Sequence, residues 1–106
     1  MFIALELSYE VLEKLVPIET RIRRRSLNLA KQLAKASESV SLNLSEGSDR
    51  RDGDKRRHYE MAAGSAREVT GALRIALVKQ YITREDVAVV EQPLDRLRGM
   101  LWRLTH

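Results

Sequence analysis

Four stretches of this chain carry apolar or small residues at alternating steps of four and three, and none of them slips phase along its length. Ala4, Ser8, Val11, Leu15, Ile18 and Ile22 form the first seam, and Ala30, Leu33, Ser37, Val40 and Leu44 the second. Tyr59, Ala62, Ala66, Val69, Leu73 and Ala76 form the third, and Val87, Val90, Leu94, Leu97, Leu101 and Leu104 the fourth. This period gathers each set on one side of an α-helix; a strand alternates its side chains and would scatter them over both faces. Each segment runs to about 20 residues, about 30 Å of helix. Helices matched in length and joined by short connections bury their stripes together, so an all-α, up-down-up-down four-helix bundle is expected, one domain over residues 1–106.

Pro17 and Pro93 stand inside the first and fourth seams. Proline removes a helical hydrogen bond and crowds the preceding turn, and a true break resets the apolar phase. The phase holds, so a single kinked helix from about Phe2 to Arg24 is expected, with a split into two helices as the lesser reading. Ser26 is placed to cap the start of the second helix, and Gly47 to end it in a left-handed cap. The linker runs from Ser48 to Asp54, where Asp52-Gly53-Asp54 reads as a turn or as the start of the third helix. Thr83 with Asp86 three residues on forms a capping box, with Asp in place of the usual Glu.

The middle helices are rich in small residues: Ala30, Ala34, Ala36, Ser37 and Ser41 in one, and Ala62, Ala63, Gly64, Ser65, Ala66 and Gly71 in the other. Either these helices approach each other closely or one of their faces meets another subunit. Ser39 and Asn43 lie four apart on one helical face and Glu46 three beyond, so Ser39, Asn43 and Glu46 make a polar strip that can pair with Ser65 or Glu68 of the third helix, or with a neighbouring subunit. Such groups fix the register of a helix contact, or simply bond their own helix a turn back. Arg50 is placed to neutralise Glu46 or Glu68.

The net charge is +4, but it is clustered. Arg21, Arg23, Arg24 and Arg25 form one cluster, and Arg50, Arg51, Lys55, Arg56 and Arg57 a second, offset by Asp52 and Asp54. Clustered basic charge points to a polyanion such as RNA or DNA, or to ordinary solvated helix ends. In an up-down bundle the two clusters lie at opposite ends. Five aromatic residues, counting Phe2 and Trp102, and no stacking motif leave phosphate contacts as the means of binding.

Catalysis has little to stand on. Carboxylate-bridged metal bundles need Glu-x-x-His pairs, but the residues three before His58 and His106 are Lys55 and Arg103. There is no cysteine, no phosphate-binding glycine loop and no nucleophile elbow, so no metal, no cofactor and no enzyme are expected. His58 reads as a surface or interface residue, and a Glu46/Glu68 pair facing arginine as structural. No apolar run approaches the length of a membrane span, and Glu6 interrupts the start where a signal peptide has a longer apolar core, so a cytoplasmic protein is expected.

The segment QLAKASESVSLNLSEG, residues 32–47, resembles the signature of the four-helix-bundle proteins encoded in intervening sequences of bacterial large-subunit ribosomal RNA genes. That family reads approximately Gln-Ile-Arg-Arg-Ala-Ala-Val-Ser-Val-Pro-x-Asn-Ile-Ala-Glu-Gly, and Gln32, Ala36, Ser39, Val40, Asn43, Glu46 and Gly47 match it without a gap. Gly64, Ser65 and Glu68 match its Ala-x-Gly-Ser-x-x-Glu element, and ALVKQYIT resembles its Ala-x-x-x-Gly-Tyr-Leu end of the third helix. Ala34 and Lys35 replace its paired arginines, Ser41 its proline and Asp49 a following glycine. The resemblance implies a ring-shaped homopentamer. Through the related accessory variability protein of diversity-generating retroelements, it also implies nucleic-acid binding. Two functional expectations follow: an oligomer that binds RNA or DNA through its basic ends, or an oligomeric scaffold for a protein partner.

Overall fold

The computed structural model describes residues 1–106 and consists of four helices: α1 (Ile3–Arg23), α2 (Leu27–Ser48), α3 (Asp52–Val78) and α4 (Arg84–Thr105). Connections of three to five residues cannot carry the chain back along a helix of about 30 Å, so successive helices run antiparallel. Each helix packs on its neighbours in sequence, α1 also packs on α4, and the contact of α2 with α3 is the most extensive. The bundle measures 42 × 24 × 20 Å.

Every residue of the first three seams is buried, and they meet in one core with Val90, Leu94, Leu97 and Leu101 of α4. The fourth seam departs from expectation at both ends: Val87 is half-buried and Leu104 is exposed. After Leu101 the buried position is Thr105, whose hydroxyl donates to the Leu101 carbonyl (2.8 Å) and whose own carbonyl accepts from Arg56 of α3 (2.7 Å). The last step is therefore four, not three, because that polar tie holds the end of α4 against α3.

α1 is continuous across Pro17, so the two-helix reading falls; α4 likewise runs through Pro93. The carbonyls these prolines orphan belong to Glu13 and Val89, both exposed residues, so water is at hand to take the lost bond.

Ser26 caps α2 as its sequence suggests, accepting from the Leu29 amide (3.1 Å). The other end of α2 corrects the sequence reading. Gly47 is helical and buried, its φ is not positive, and the helix runs on to Ser48. Its function is steric: an added Cβ would stand 2.8 Å from Cε1 of Tyr59 and 3.0 Å from Cβ of His58. The left-handed positions fall elsewhere, at Asp52 (φ 53°), where α3 starts, and at Gln80 (φ 62°). At Gln80 the Tyr81 amide donates to the Ala76 carbonyl (2.8 Å) and the Gln80 amide to that of Leu77 (3.0 Å), the bond pair of a Schellman cap. The capping box at α4 forms in full: the Asp86 amide donates to the Thr83 hydroxyl, and the Thr83 amide to the Asp86 carboxylate (2.9 Å).

Candidate functional site

Small residues and hydroxyls carry the contact between the middle helices. Ala36, Gly47, Ala62, Ser65 and Ala66 are buried, whereas Ala63, Gly64 and Gly71 are only half-buried. The close approach within one subunit thus uses only part of the small-residue set. Across it the Ser65 hydroxyl donates to Ser39 Oγ (2.8 Å), and Asn43 Nδ2 donates to Ser39 Oγ (3.1 Å) and to the Ser39 carbonyl (3.0 Å). Asn43 Oδ1 faces His58 Nδ1 at 3.1 Å. With its amide nitrogen committed to Ser39, Asn43 offers His58 an acceptor, so His58 carries a proton on Nδ1.

On the other side of α2, Ser41 donates to Ser8 of α1 (2.8 Å), and Ser8 donates on to the Leu5 carbonyl (2.6 Å). No buried side-chain polar atom is left without a partner. The polar strip therefore joins Ser39, Asn43 and Ser65 and takes in His58, which sequence spacing did not place there. Glu46 and Glu68 lie outside it, both exposed. Glu46 is held by Arg50 at 2.6 Å, and the hydrogen bond and charge of that guanidinium press its carboxyl below the ordinary value.

The two basic clusters occupy opposite ends, and their electrostatics differ. At the α2–α3 end, Arg50 is shared between Glu46 and Asp54 (3.4 Å), Arg57 pairs with Asp54 (3.2 Å), and Arg56 spans Glu60 (3.7 Å) and the Thr105 carbonyl. Only Arg51 and Lys55 of that set lack an ion pair.

At the α1–α2 end the balance is reversed. Arg21 alone is paired, with Asp86 at 2.8 Å. The Asp86 carboxyl is held below its usual range, first by the Thr83 amide and also by the Thr83 hydroxyl and Arg21. Arg23, Arg24 and Arg25 make no ion pair. Arg25 stands over the Tyr81 ring at 5.3 Å and Lys79 approaches it at 5.9 Å, so the left-handed turn at Gln80 sets a tyrosine between two cations. Pro17, Thr20, Arg21, Arg24, Arg25 and Tyr81 enclose an open basin of about 550 Å³. Sequence reading missed Lys79 and Tyr81 because they are distant in the chain and join the cluster only when α3 returns to that end. No group of three or more His, Cys, Asp or Glu side chains is placed to hold a metal, and no helix is long and apolar enough to cross a membrane.

A small antiparallel four-helix bundle, with a serine–asparagine contact between its middle helices and a basic cluster at each end, is the class of protein this structure defines. The same fold occurs in the crystal structure of a protein with unknown function from the S23 ribosomal protein family of Bacteroides thetaiotaomicron VPI-5482, with a TM-score of 0.87, 18% identity, and coverage of 96% of this chain and 97% of that one. The family model for the 23S rRNA-intervening sequence protein matches residues 2–103, and the chain belongs to that family. No curated protein matches it.

Proposed function

We propose that this chain is a non-enzymatic homo-oligomer, a pentamer, that binds RNA or DNA through phosphate contacts at the α1–α2 end of each bundle. The observation that carries the reading is the unequal neutralisation of the two ends: Arg23, Arg24 and Arg25 are unpaired beside Lys79, while most of the 50–57 cluster is held by Glu46, Asp54 and Glu60. A phosphate displaces no carboxylate from those arginines, whereas at the other end it competes with existing pairs. The pentamer is what the resemblance of residues 32–47 to the family signature implies, and the exposed apolar residues Tyr9 and Val16 on α1 support a contact between subunits. Repeating one basic end around a ring multiplies weak phosphate contacts into useful affinity.

The test is a titration of mixed-sequence RNA and DNA at two salt concentrations with wild type, with Arg23, Arg24 and Arg25 changed to Gln, and with Arg50, Arg51 and Arg57 changed to Gln. The first variant should weaken binding to all sequences alike and flatten the salt slope by about 0.7–0.9 for each phosphate no longer neutralised. The second should change binding less. A wild type that binds neither nucleic acid at low salt removes this reading and leaves an oligomeric scaffold for a protein partner.

A further inference from the structure

Two apolar surfaces of the bundle have no partner, and they lie on different faces. On α1, Leu5, Tyr9, Leu12 and Val16 repeat the four-and-three stepping of the core seam one residue out of phase, about 100° round the helix. Val16 is 59% exposed and Tyr9 46%, while Leu5 and Leu12 are half-buried. Scattered surface apolars are ordinary, but four in helical phase over three turns make a ridge. Glu6 and Glu13 run along its outer edge, exposed and without an ion pair. The ridge lies on the side of α1 toward α2: Glu19, next in this phase, feels the charge of Glu38, whereas Arg21 on the other side reaches Asp86 of α4.

The second surface is the outer seam of α3 and α4, the least extensive of the four helix contacts. A groove of about 410 Å³ runs there over Leu73, Leu77, Val87 and Leu94. Arg74, Arg84 and Arg98 edge it, none of them ion-paired within the subunit, and they outnumber the lining acids Glu91 and Asp95. Arg84, Glu91 and Arg98 recur every seven residues, which keeps the charge along one side of α4.

We propose that the α1 ridge of one subunit seats in the α3–α4 groove of the next, a step that rests on the homo-oligomer reading and gives it an interface. The ridge from Leu5 to Val16 is about 17 Å long and apolar, as the floor of the groove is. Its acidic edge, Glu6 and Glu13, meets a groove with a net positive rim. Because ridge and groove are different patches on opposite faces, the contact is head-to-tail. Every subunit gives one ridge and receives one, which builds a closed ring where the rotation between subunits divides a full turn.

Complementation tests this directly. One variant carries Tyr9→Glu and Val16→Glu, the other Arg74→Glu and Arg98→Glu; all four positions are exposed, and circular dichroism with thermal melting checks that both bundles remain folded. Each variant alone should fall in light scattering to the 12.2 kDa subunit mass. Mixed in equal amounts they should give twice that mass and no more, since one retains only a groove and the other only a ridge. A wild type larger than 12.2 kDa, with either variant keeping its mass or with a mixture that stays at the subunit mass, overturns the interface and leaves the homo-oligomer reading in place. A wild type that is itself monomeric at micromolar concentration removes both. An arginine variant that keeps its mass but loses affinity for nucleic acid assigns the groove to nucleic acid instead.

Discussion

An added methyl at position 47 would press on the Tyr59 ring, which is buried between α2 and the Phe2 ring at 5.8 Å and has little room to yield. Gly47→Ala should therefore lose about 1–3 kcal/mol to overpacking and regain about 1 kcal/mol of helix propensity. The net effect is a melting temperature lower by roughly 4–8 °C for each kcal/mol lost. An unchanged melting curve would mean that α3 moves aside freely. Gln80 is the opposite case, a residue with a Cβ held in the left-handed region where the family's third helix carries glycine. Gln80→Gly should stabilise the protein by about 1 kcal/mol, since left-handed backbone costs non-glycine residues about 1–2 kcal/mol and the unfolded glycine returns part of it as entropy. Chemical denaturation of the two variants beside wild type reads both signs. The sequence marked Gly47 only as a glycine near a helix end, which suggests a cap; the position of Tyr59 turns it into a site of close approach.

At the scale of the helices, two acids near the Arg21 end act on stability with opposite sign. Burial, and then the charge of Glu38 on α2, raise the Glu19 carboxyl above its ordinary value, and Arg23 only partly offsets them. A raised acid binds its proton more tightly in the folded state, so its contribution is fully present below the unfolded value and is lost as pH rises through the folded one. Glu19→Gln should therefore raise stability at pH 7 and change little at strongly acidic pH. The Asp86 carboxyl, lowered by the Thr83 amide at the start of α4, behaves in reverse. Its stabilisation is present above the unfolded value and is lost as pH falls through the folded one, so Asp86→Asn should weaken the bundle at pH 7 and converge with wild type in acid. Urea unfolding of both variants at the two pH values checks the pair, and the same sign for both would refute it. The Thr83–Asp86 box was readable because its partners are three residues apart, whereas the Glu19–Glu38 repulsion depends on how α1 lies on α2.

For the whole molecule, the unpartnered α1 ridge and α3–α4 groove predict that assembly and folding are linked. The melting temperature should rise with protein concentration, because a neighbour that binds only the folded subunit stabilises it by mass action. A melting temperature independent of concentration would show that the subunit melts as an isolated bundle. The sequence by itself determined the four helices, the antiparallel order and most of the core, because each of these rests on a repeat of three to four residues or on caps a few residues apart; it did not foresee the 27-residue length of α3 or the core places of Leu7, Leu29, Ala36, Ala72 and Ile82. It also located the two basic clusters, which are runs in the chain. The carboxylates that quench most of one cluster, Glu46, Asp54 and Glu60, stand three or four residues from their arginines and so lie within reach of the sequence as well. The tertiary structure alone decided that Arg23, Arg24 and Arg25 remain unpaired beside Tyr81 and Lys79. It also decided that His58 completes the polar strip and that Thr105, not Leu104, closes the core. Each of these depends on the rotation and register of one helix against another, set by packing and hydrogen bonds between residues far apart in the chain, and a periodicity read within one helix carries no record of them.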